Sequence, residues 1–437
     1  MDDTIAAIIT PEGVGGVAAI RISGNKALEI AKEITETRED LAPRLAYNKK
    51  IKEIDEVILI YYKAPKSYTG EDSIEISCHG NGKIARYILG EIIKKGARIA
   101  NPGEFTKRAY LNGKIDLTQA ESVIEIVSAK TLKGIKASYK QLSGSISKEV
   151  NKIREEVLFI TARIEAGIDF PDNVENKSQE LEVEIGEAQE KIKRLLCKAE
   201  MGRIYREGIR VCITGRPNTG KSSLLNALIK EERAIVTEHA GTTRDTIEEA
   251  INIGGAQAII IDTAGIREPG NMAEKMGVER AKKEISRADL VLLIYDGNEK
   301  RLMSEDEKLE VLTRGKKRIF VKNKKDLGIR LPVEGIEISA KTGEGIERLE
   351  EEIESVIMEG RADNAEGDAM MTERHRQCLA RAGEGLKRAG ESIRMGQELD
   401  LTAIELKEAI SALGELTGIE ISDKVIEQIF SRFCVGK

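Results

Sequence analysis

At 437 residues the chain has room for about two to four domains. It is 41% hydrophobic and 33% charged with a formal net charge of −6, which suits a soluble globular protein rich in long helices. That balance excludes a uniformly basic nucleic-acid binder but leaves room for a local basic patch. With no Trp and 3% aromatic residues, aliphatic packing must carry the cores. Cys78, Cys197, Cys212, Cys378 and Cys434 are scattered, odd in number and without a C-x-x-C pair. They suggest neither a disulfide framework nor a zinc site, and they point to the reducing cytoplasm. No stretch approaches about 18 consecutive apolar residues, and no charged segment leads into an apolar one at the start. Neither a membrane span nor a signal peptide is expected.

In chain order, residues 1–116 alternate short apolar runs with Gly/Pro turns. Ile5–Ile9, Val17–Ile22, Val57–Tyr61 and Ile74–Ser77 read as strands, and Lys26–Glu33 and Lys83–Lys95 as helices. This predicts an α+β domain with a mainly antiparallel sheet. Ser67–Asp72 and Asn101–Thr106 read as Gly-rich turns, and His79 as a structural histidine. From Leu117 to Arg206 the pattern turns helical. Ile153, Val157, Ile160, Ile164 and Ile168 share one face, Asp169-Phe170-Pro171-Asp172 interrupts, and a charged helix follows through Glu180–Ala199. Residues 361–437 are similar, with Ile404, Leu406, Ile410, Leu413 and Leu416 at helical spacing. The economical organisation is one discontinuous all-α domain, 117–206 with 361–437, around an insertion at 207–360; separate helix pairs are the alternative. Lys130, Lys133, Lys136 and Lys140 form a basic stripe, either a solvated face or a contact for RNA phosphates.

The insertion alternates strands and helices, as a doubly wound parallel sheet does. Its strands are predicted at Ile209–Ile213, Gln257–Ile261, Leu290–Tyr295, Arg318–Lys322 and Ile336–Ser339. After the first comes Gly215-Arg216-Pro217-Asn218-Thr219-Gly220-Lys221-Ser222, a complete G-x-x-x-x-G-K-[ST] P-loop, and Ser223–Ile229 opens the following helix. Its backbone N–H groups cradle phosphates, Lys221 adds a point charge and Ser222 a hydroxyl for Mg²⁺. Three more motifs sit at strand ends in order. Asp262-Thr263-Ala264-Gly265 offers a carboxylate to the Mg²⁺ shell and an N–H to a γ-phosphate. Asn323-Lys324-Lys325-Asp326 offers the Asp326 carboxylate to guanine N1 and N2. Ser339-Ala340-Lys341 closes over the base. Together they predict a Ras-like P-loop GTPase domain. Gly241-Thr242-Thr243-Arg244-Asp245 places a threonine where Mg²⁺ binds with GTP. Ile266 stands where many GTPases carry a water-orienting Gln, so the activating group must come from elsewhere. Asn218, with carbonyls of the Thr237–Thr242 loop, could hold a monovalent cation in the electrostatic role of an arginine finger.

The P-loop, Gly241–Asp245, an Asp-Thr-Ala-Gly followed by Ile266, and Phe433-Cys434-Val435-Gly436-Lys437 together resemble the MnmE (TrmE) family of tRNA-modification GTPases. So do Thr10-Pro11, Gly15-Gly16-Val17, Arg21-Ile22-Ser23-Gly24, Tyr68–Asp72 and Pro102–Thr106. The resemblance spans the whole chain. It implies an N-terminal α+β dimerisation and folate-binding domain, a discontinuous helical domain and an inserted GTPase domain. It implies a homodimer that acts with an FAD-dependent MnmG-type partner on the wobble uridine of certain tRNAs. There it adds an aminomethyl or carboxymethylaminomethyl group at C5 from a tetrahydrofolate one-carbon unit (5-formyl or 5,10-methylene), with GTP hydrolysis driven by K⁺-dependent dimerisation of the G domains. The implied GTP-binding set is Asn218, Thr219, Gly220, Lys221, Ser222, Ser223, Thr237, Glu238, His239, Ala240, Gly241, Thr242, Thr243, Asp262, Thr263, Ala264, Gly265, Asn323, Lys324, Asp326, Ser339, Ala340 and Lys341. Within it Ser222 and Thr243 would bind Mg²⁺, and Asn218, Thr237, His239 and Thr242 K⁺. Glu274 would position the water, and Arg21, Glu75, Lys114 and Lys437 would line the folate pocket. Cys434 is a candidate reactive thiol. The competing expectations are a GTP-switched RNA assembly factor and a scaffold with vestigial nucleotide binding.

Overall fold

A computed structural model describes residues 3–129, 132–169, 178–207, 209–231, 248–253, 256–262, 283–358 and 371–437. The chain divides into two compact units. One comprises Met1–Val127, Ser138–Arg194 and Gln377–Lys437, the other Ser128–Ala137 and Leu195–Arg376.

In the first unit, β1 (Ile5–Ile8), β2 (Val17–Ser23), β3 (Ala46–Ile51), β4 (Asp55–Tyr62), β5 (Ser73–His79) and β6 (Arg98–Ile99) form a six-stranded sheet in the order β3-β4-β5-β2-β1-β6. All neighbours are antiparallel except β1 and β6. The strands alternate because one face is covered by α1 (Ala27–Ile34) and α2 (Gly82–Lys94), whose Ile30, Ala31, Ile88 and Ile92 are buried among Ile20, Ile22, Leu59 and Ile76. Asn81 caps α2 by accepting from the Lys83 N–H at 2.9 Å. Asn101–Thr106, expected as a turn, is a turn only to Gly103. Glu104 opens α3 (Glu104–Leu111), because its carboxylate satisfies the Asn101 N–H and Gly103 takes the left-handed φ of +67° that ends the turn.

The helical elements of this unit include α4 (Leu117–Ser128), α5 (Leu132–Leu142), α6 (Ser145–Asp169), α7 (Ser178–Glu207), α11 (Glu373–Arg394), α12 (Leu399–Thr417) and α13 (Asp423–Phe430), α4, α5, α7 and α11 only in part. The α6 face read from the sequence is buried at Ile153, Val157, Ile160 and Ile164 and half-buried at Ile168. On α12, Leu406, Ile410, Leu413 and Leu416 are buried, but Ile404 is 61% exposed. It lies two residues before Leu406, about 200° around the helix, so it cannot share that face. Of the basic stripe, Lys136 and Lys140 are exposed on α5; Lys130 and the Lys133 side chain lie outside the described residues.

In the second unit, β7 (Ile209–Gly215), β8 (Glu248–Ile253), β9 (Ala256–Asp262), β10 (Leu290–Asp296), β11 (Lys317–Asn323) and β12 (Ile336–Glu337) form a sheet in the order β12-β11-β10-β7-β9-β8. Its strands are parallel except β8, an antiparallel edge strand that the fully parallel expectation missed. β12 ends at Glu337, so Ser339 stands on the loop beyond it. Central strands are buried on both faces, which is why β10 reads as an unbroken apolar run. α8 (Lys221–Glu231), α9 (Ser304–Leu312) and α10 (Ile346–Met358) accompany the sheet, with Leu224, Leu228, Leu349 and Ile353 buried in its core.

Candidate functional site

The nucleotide motifs stand at the carboxyl ends of the parallel strands. β7 delivers Gly215, where an added Cβ would lie 2.4 Å from the Ile294 carbonyl oxygen, so only glycine lets the loop leave so close to β10. Asn218 and Gly220 both hold positive φ, +66° and +93°. The Lys221 ammonium donates to the carbonyls of Gly215 (2.9 Å) and Arg216 (2.7 Å), and the Thr219 hydroxyl also donates to Arg216 O (2.9 Å). Arg216 is pinned from outside: its Nε donates to Asp306 Oδ2 at 2.8 Å, and Asp306, 2% exposed, also caps α9 through the Met303 N–H. Ser222 and Ser223 face outward on the first turn of α8.

Asn323, at the end of β11, ties three loops together. Its Nδ2 donates to the Thr219 carbonyl (2.8 Å) and its Oδ1 accepts from the Ala340 N–H (2.9 Å). The P-loop and the two base-side motifs are thereby held in one arrangement by a single buried amide. Asp326 is exposed, and its Oδ1 accepts from the hydroxyl of the fully buried Ser339 at 2.7 Å. Lys324 takes a φ of +69° and pairs with Asp296 at 2.6 Å; Lys341 is exposed. Asp262 ends β9 in register with Ile213, one strand over from the P-loop. Thr237, Glu238, His239, Ala240, Gly241, Thr242, Thr243, Thr263, Ala264, Gly265, Ile266 and Glu274 lie outside the described residues. A braced, outward carboxylate, an N–H-rich loop closed by glycines and an exposed hydroxyl on the first helical turn fit a magnesium-bound guanine nucleotide in donor type.

A second cluster forms in the first unit. Arg21 on β2 faces Glu75 on β5, directly opposite in register, and donates through Nε (3.0 Å) and Nη2 (2.8 Å) to Glu75 Oε1. The guanidinium lies 4.9 Å from the Tyr68 ring centroid and 5.5 Å from that of Phe105. Burial raises the Tyr68 phenol pKa, against the opposing pull of Thr106 and Arg21. Lys114 Nζ donates to the Pro65 carbonyl (2.9 Å), on the loop that carries Tyr68. The C-terminal segment docks on the start of α3: Gly103 N–H donates to Cys434 O and Phe105 N–H to Lys437 O, at 3.4 and 3.2 Å. Arg21, which carries Glu75, and the Lys437 backbone thus both lie against Phe105, while Cys434 is exposed. A carboxylate, a guanidinium and the partly exposed Tyr68 ring, backed by the buried Phe105, suit a group with an amide-like edge and a flat ring, as a pterin has.

Sequence reasoning missed what supports this wall. Arg108, 1% exposed, donates to the Asp3 carbonyl (2.9 Å), Asp3 Oδ1 (2.8 Å), Glu71 Oε2 (3.0 Å) and Glu104 Oε1 (3.1 Å). Glu71 also accepts from Ser23, and Glu104 from Arg98. The two segments read as turns therefore owe their acids to one buried cation; Glu104 meets it as an i,i+4 helix pair, but the links to Glu71 and Asp3, 37 and 105 residues away, have no signature in spacing. The Arg216–Asp306 pair was missed likewise, because Ser304-Glu305-Asp306 reads as an ordinary helix start. His79 is exposed, its Nδ1 2.6 Å from Asp55 Oδ1.

A mostly parallel sheet with a P-loop on its central strand, closed by a base-side Asn/Asp pair and a Ser-Ala-Lys loop, defines a P-loop GTPase. Residues 4–114 match the family model of the GTP-binding protein TrmE N-terminus, and residues 117–434 that of the MnmE helical domain. The tRNA modification GTPases MnmE of Alkaliphilus metalliredigens, Aquifex aeolicus and Carboxydothermus hydrogenoformans are each 42% identical to it, over 100% of this chain and 100% of theirs. The chain belongs to the MnmE family of tRNA modification GTPases. No described helix is long and apolar enough to cross a membrane.

Proposed function

We propose that this chain is a cytoplasmic, K⁺-activated GTPase that works as a homodimer with an FAD-dependent MnmG-type partner. The pair modifies C5 of the wobble uridine of certain tRNAs, adding an aminomethyl or carboxymethylaminomethyl group from a tetrahydrofolate one-carbon unit. The observation that carries the GTPase half is the Asn323 clamp: it joins the P-loop to the Ser339–Lys341 loop while Ser339 holds Asp326 outward. Asp326 selects guanine by accepting from two N–H groups, an arrangement adenine cannot supply. Lys221 exchanges its Gly215 and Arg216 carbonyl partners for phosphate oxygens when GTP enters. Ser222 and Thr243 hold Mg²⁺; Asn218, Thr237, His239 and Thr242 hold K⁺. Both ions, when bound, supply positive charge where the transferring phosphoryl group builds negative charge. Glu274 orients the attacking water in place of the glutamine that Ile266 displaces. At the second cluster, Glu75 and Arg21 take the pterin edge of the folate, and Lys114 and Lys437 its acidic tail, near the Cys434 thiol.

The test is GTP turnover in potassium against sodium, with Asn218→Ala and Glu274→Ala, alongside the thermal shift given by 5-formyl-tetrahydrofolate. Faster turnover in potassium, abolished by both substitutions, and a folate shift lost in Arg21→Ala support the reading. Equal turnover in sodium with a silent Glu274→Ala overturns the catalytic assignment. No shift at saturating folate overturns the one-carbon assignment and favours a GTP-switched RNA assembly factor.

A further inference from the structure

Beside the Arg21 cluster, four cations converge on one loop. The Lys66 N–H donates to the Lys63 carbonyl (2.9 Å), a turn that sets Lys63 and Lys66 side by side. Arg44 Nη2 donates to the Lys66 carbonyl (2.9 Å), and Lys114 Nζ to the neighbouring Pro65 carbonyl (2.9 Å). All four residues are exposed, and none has a carboxylate within 4.0 Å among the described residues. This is unlike α2, where Lys94 pairs with Glu91 and Lys95 with Glu33. The acids nearest in sequence are committed elsewhere: Glu71 to Arg108, Glu75 to Arg21, and Asp72 to the Ala64 N–H. The loop is also held in place, by Asp72 at Ala64 and by Asn112 Nδ2 at the Thr69 carbonyl (2.8 Å). Unpaired like charges on a fixed loop repel one another, and in a chain of net charge −6 they are not a by-product of a basic composition.

We propose that Arg44, Lys63 and Lys66 dock the phosphate backbone of the tRNA, beside the wall to which Lys114 and Tyr68 belong. The backbone carbonyls engage only part of the Arg44 and Lys114 donor sets, and the Lys63 and Lys66 ammonium groups extend into solvent. An RNA backbone matches this spread of point charges. The inference rests on the reading that the chain acts on tRNA.

The experiment is fluorescence anisotropy of a labelled tRNA with uridine at the wobble position, titrated with the full chain between 50 and roughly 300 mM salt. The variants are Lys63→Gln/Lys66→Gln, with Lys94→Gln/Lys95→Gln as a control on α2. Each lost phosphate contact removes about 0.7–0.9 from the slope of log Kd against log salt. The double variant therefore loses about 1.4–1.8 of slope and binds roughly 25- to 60-fold more weakly at 0.1 M salt. The control retains wild-type slope and Kd. Single Lys66→Gln gives half the slope change, which keeps the test decisive if the double variant folds poorly. Unchanged Kd and slope in a folded double variant overturn the inference and leave the tRNA reading standing. Equal losses in the control overturn it in favour of diffuse charge. A loss confined to folate polyglutamate binding reassigns the rim to an acidic tail and overturns it too. If the wild-type chain binds no tRNA at 50 mM salt, the functional reading itself fails.

Discussion

Replacing Arg108 by methionine keeps the volume of a fully buried side chain but removes the charge on which Asp3, Glu71 and Glu104 converge. Glu104 retains Arg98, and Asp3 retains Arg98, but Glu71 keeps only neutral partners such as the Ser23 hydroxyl among its side-chain contacts. Removing one member of a buried ion network leaves a carboxylate uncompensated, at a cost of about 3–5 kcal/mol. For an N-terminal block of roughly 115 residues, the unfolding entropy is about 0.24 kcal/mol per degree, so its transition drops by about 12–20 °C. Differential scanning calorimetry measures the shift, and hydrogen exchange of the β2 and β5 amides assigns it to this block. The sign of the pH dependence follows from the acids. Burial alone would raise the carboxyl pKa values of Asp3 and Glu104, but hydrogen bonds from Arg98 and Arg108, joined at Glu104 by the Asn101 N–H, hold both below the ordinary range. Their contribution is therefore complete above the ordinary carboxylate pKa and is lost as pH falls through the depressed folded values. The deficit of Arg108→Met is largest at neutral pH and narrows as pH falls below about 4. A shift under about 3 °C at pH 7, or a deficit that grows on acidification, would refute the electrostatic account.

Two other substitutions probe the nucleotide face. Gly220→Ala places a Cβ 2.2 Å from Asn323 Nδ2 at a φ of +93°, so the clamp must break; GDP affinity falls at least about tenfold by fluorescent-nucleotide titration. Asp326→Asn removes an acceptor from two charge-assisted bonds worth about 1.5 kcal/mol each, which weakens GTP roughly hundredfold while xanthosine triphosphate, with a carbonyl at that position, loses far less. Equal losses for the two nucleotides mean that Asp326 does not read the base.

Much of this protein is local chemistry and was legible as such. The P-loop, the buried β10 run and the α6 stripe follow from backbone conformation and side-chain period, which neighbouring residues decide among themselves. So does the order of strand, loop and helix around Gly215–Ser222. Ile404 shows the limit within a helix: helical spacing alone put it with Leu406, and the facing of α12 put it in solvent. Long-range partners were beyond reach. β8 is a strand only because β9 gives it hydrogen bonds, and Glu71 and Asp3 are held by Arg108 from 37 and 105 residues away. Asn323 shows its second role only when the end of β11 is beside Thr219, more than a hundred residues earlier. Likewise Arg44 and Lys114 form a rim with Lys63 and Lys66 only after the chain has returned twice to the same loop. Short-range sequence therefore specifies which groups are present and what conformation carries them. Which charges end up paired, and which are left for a partner, depends on distances between remote segments, which burial of the two sheets' cores sets.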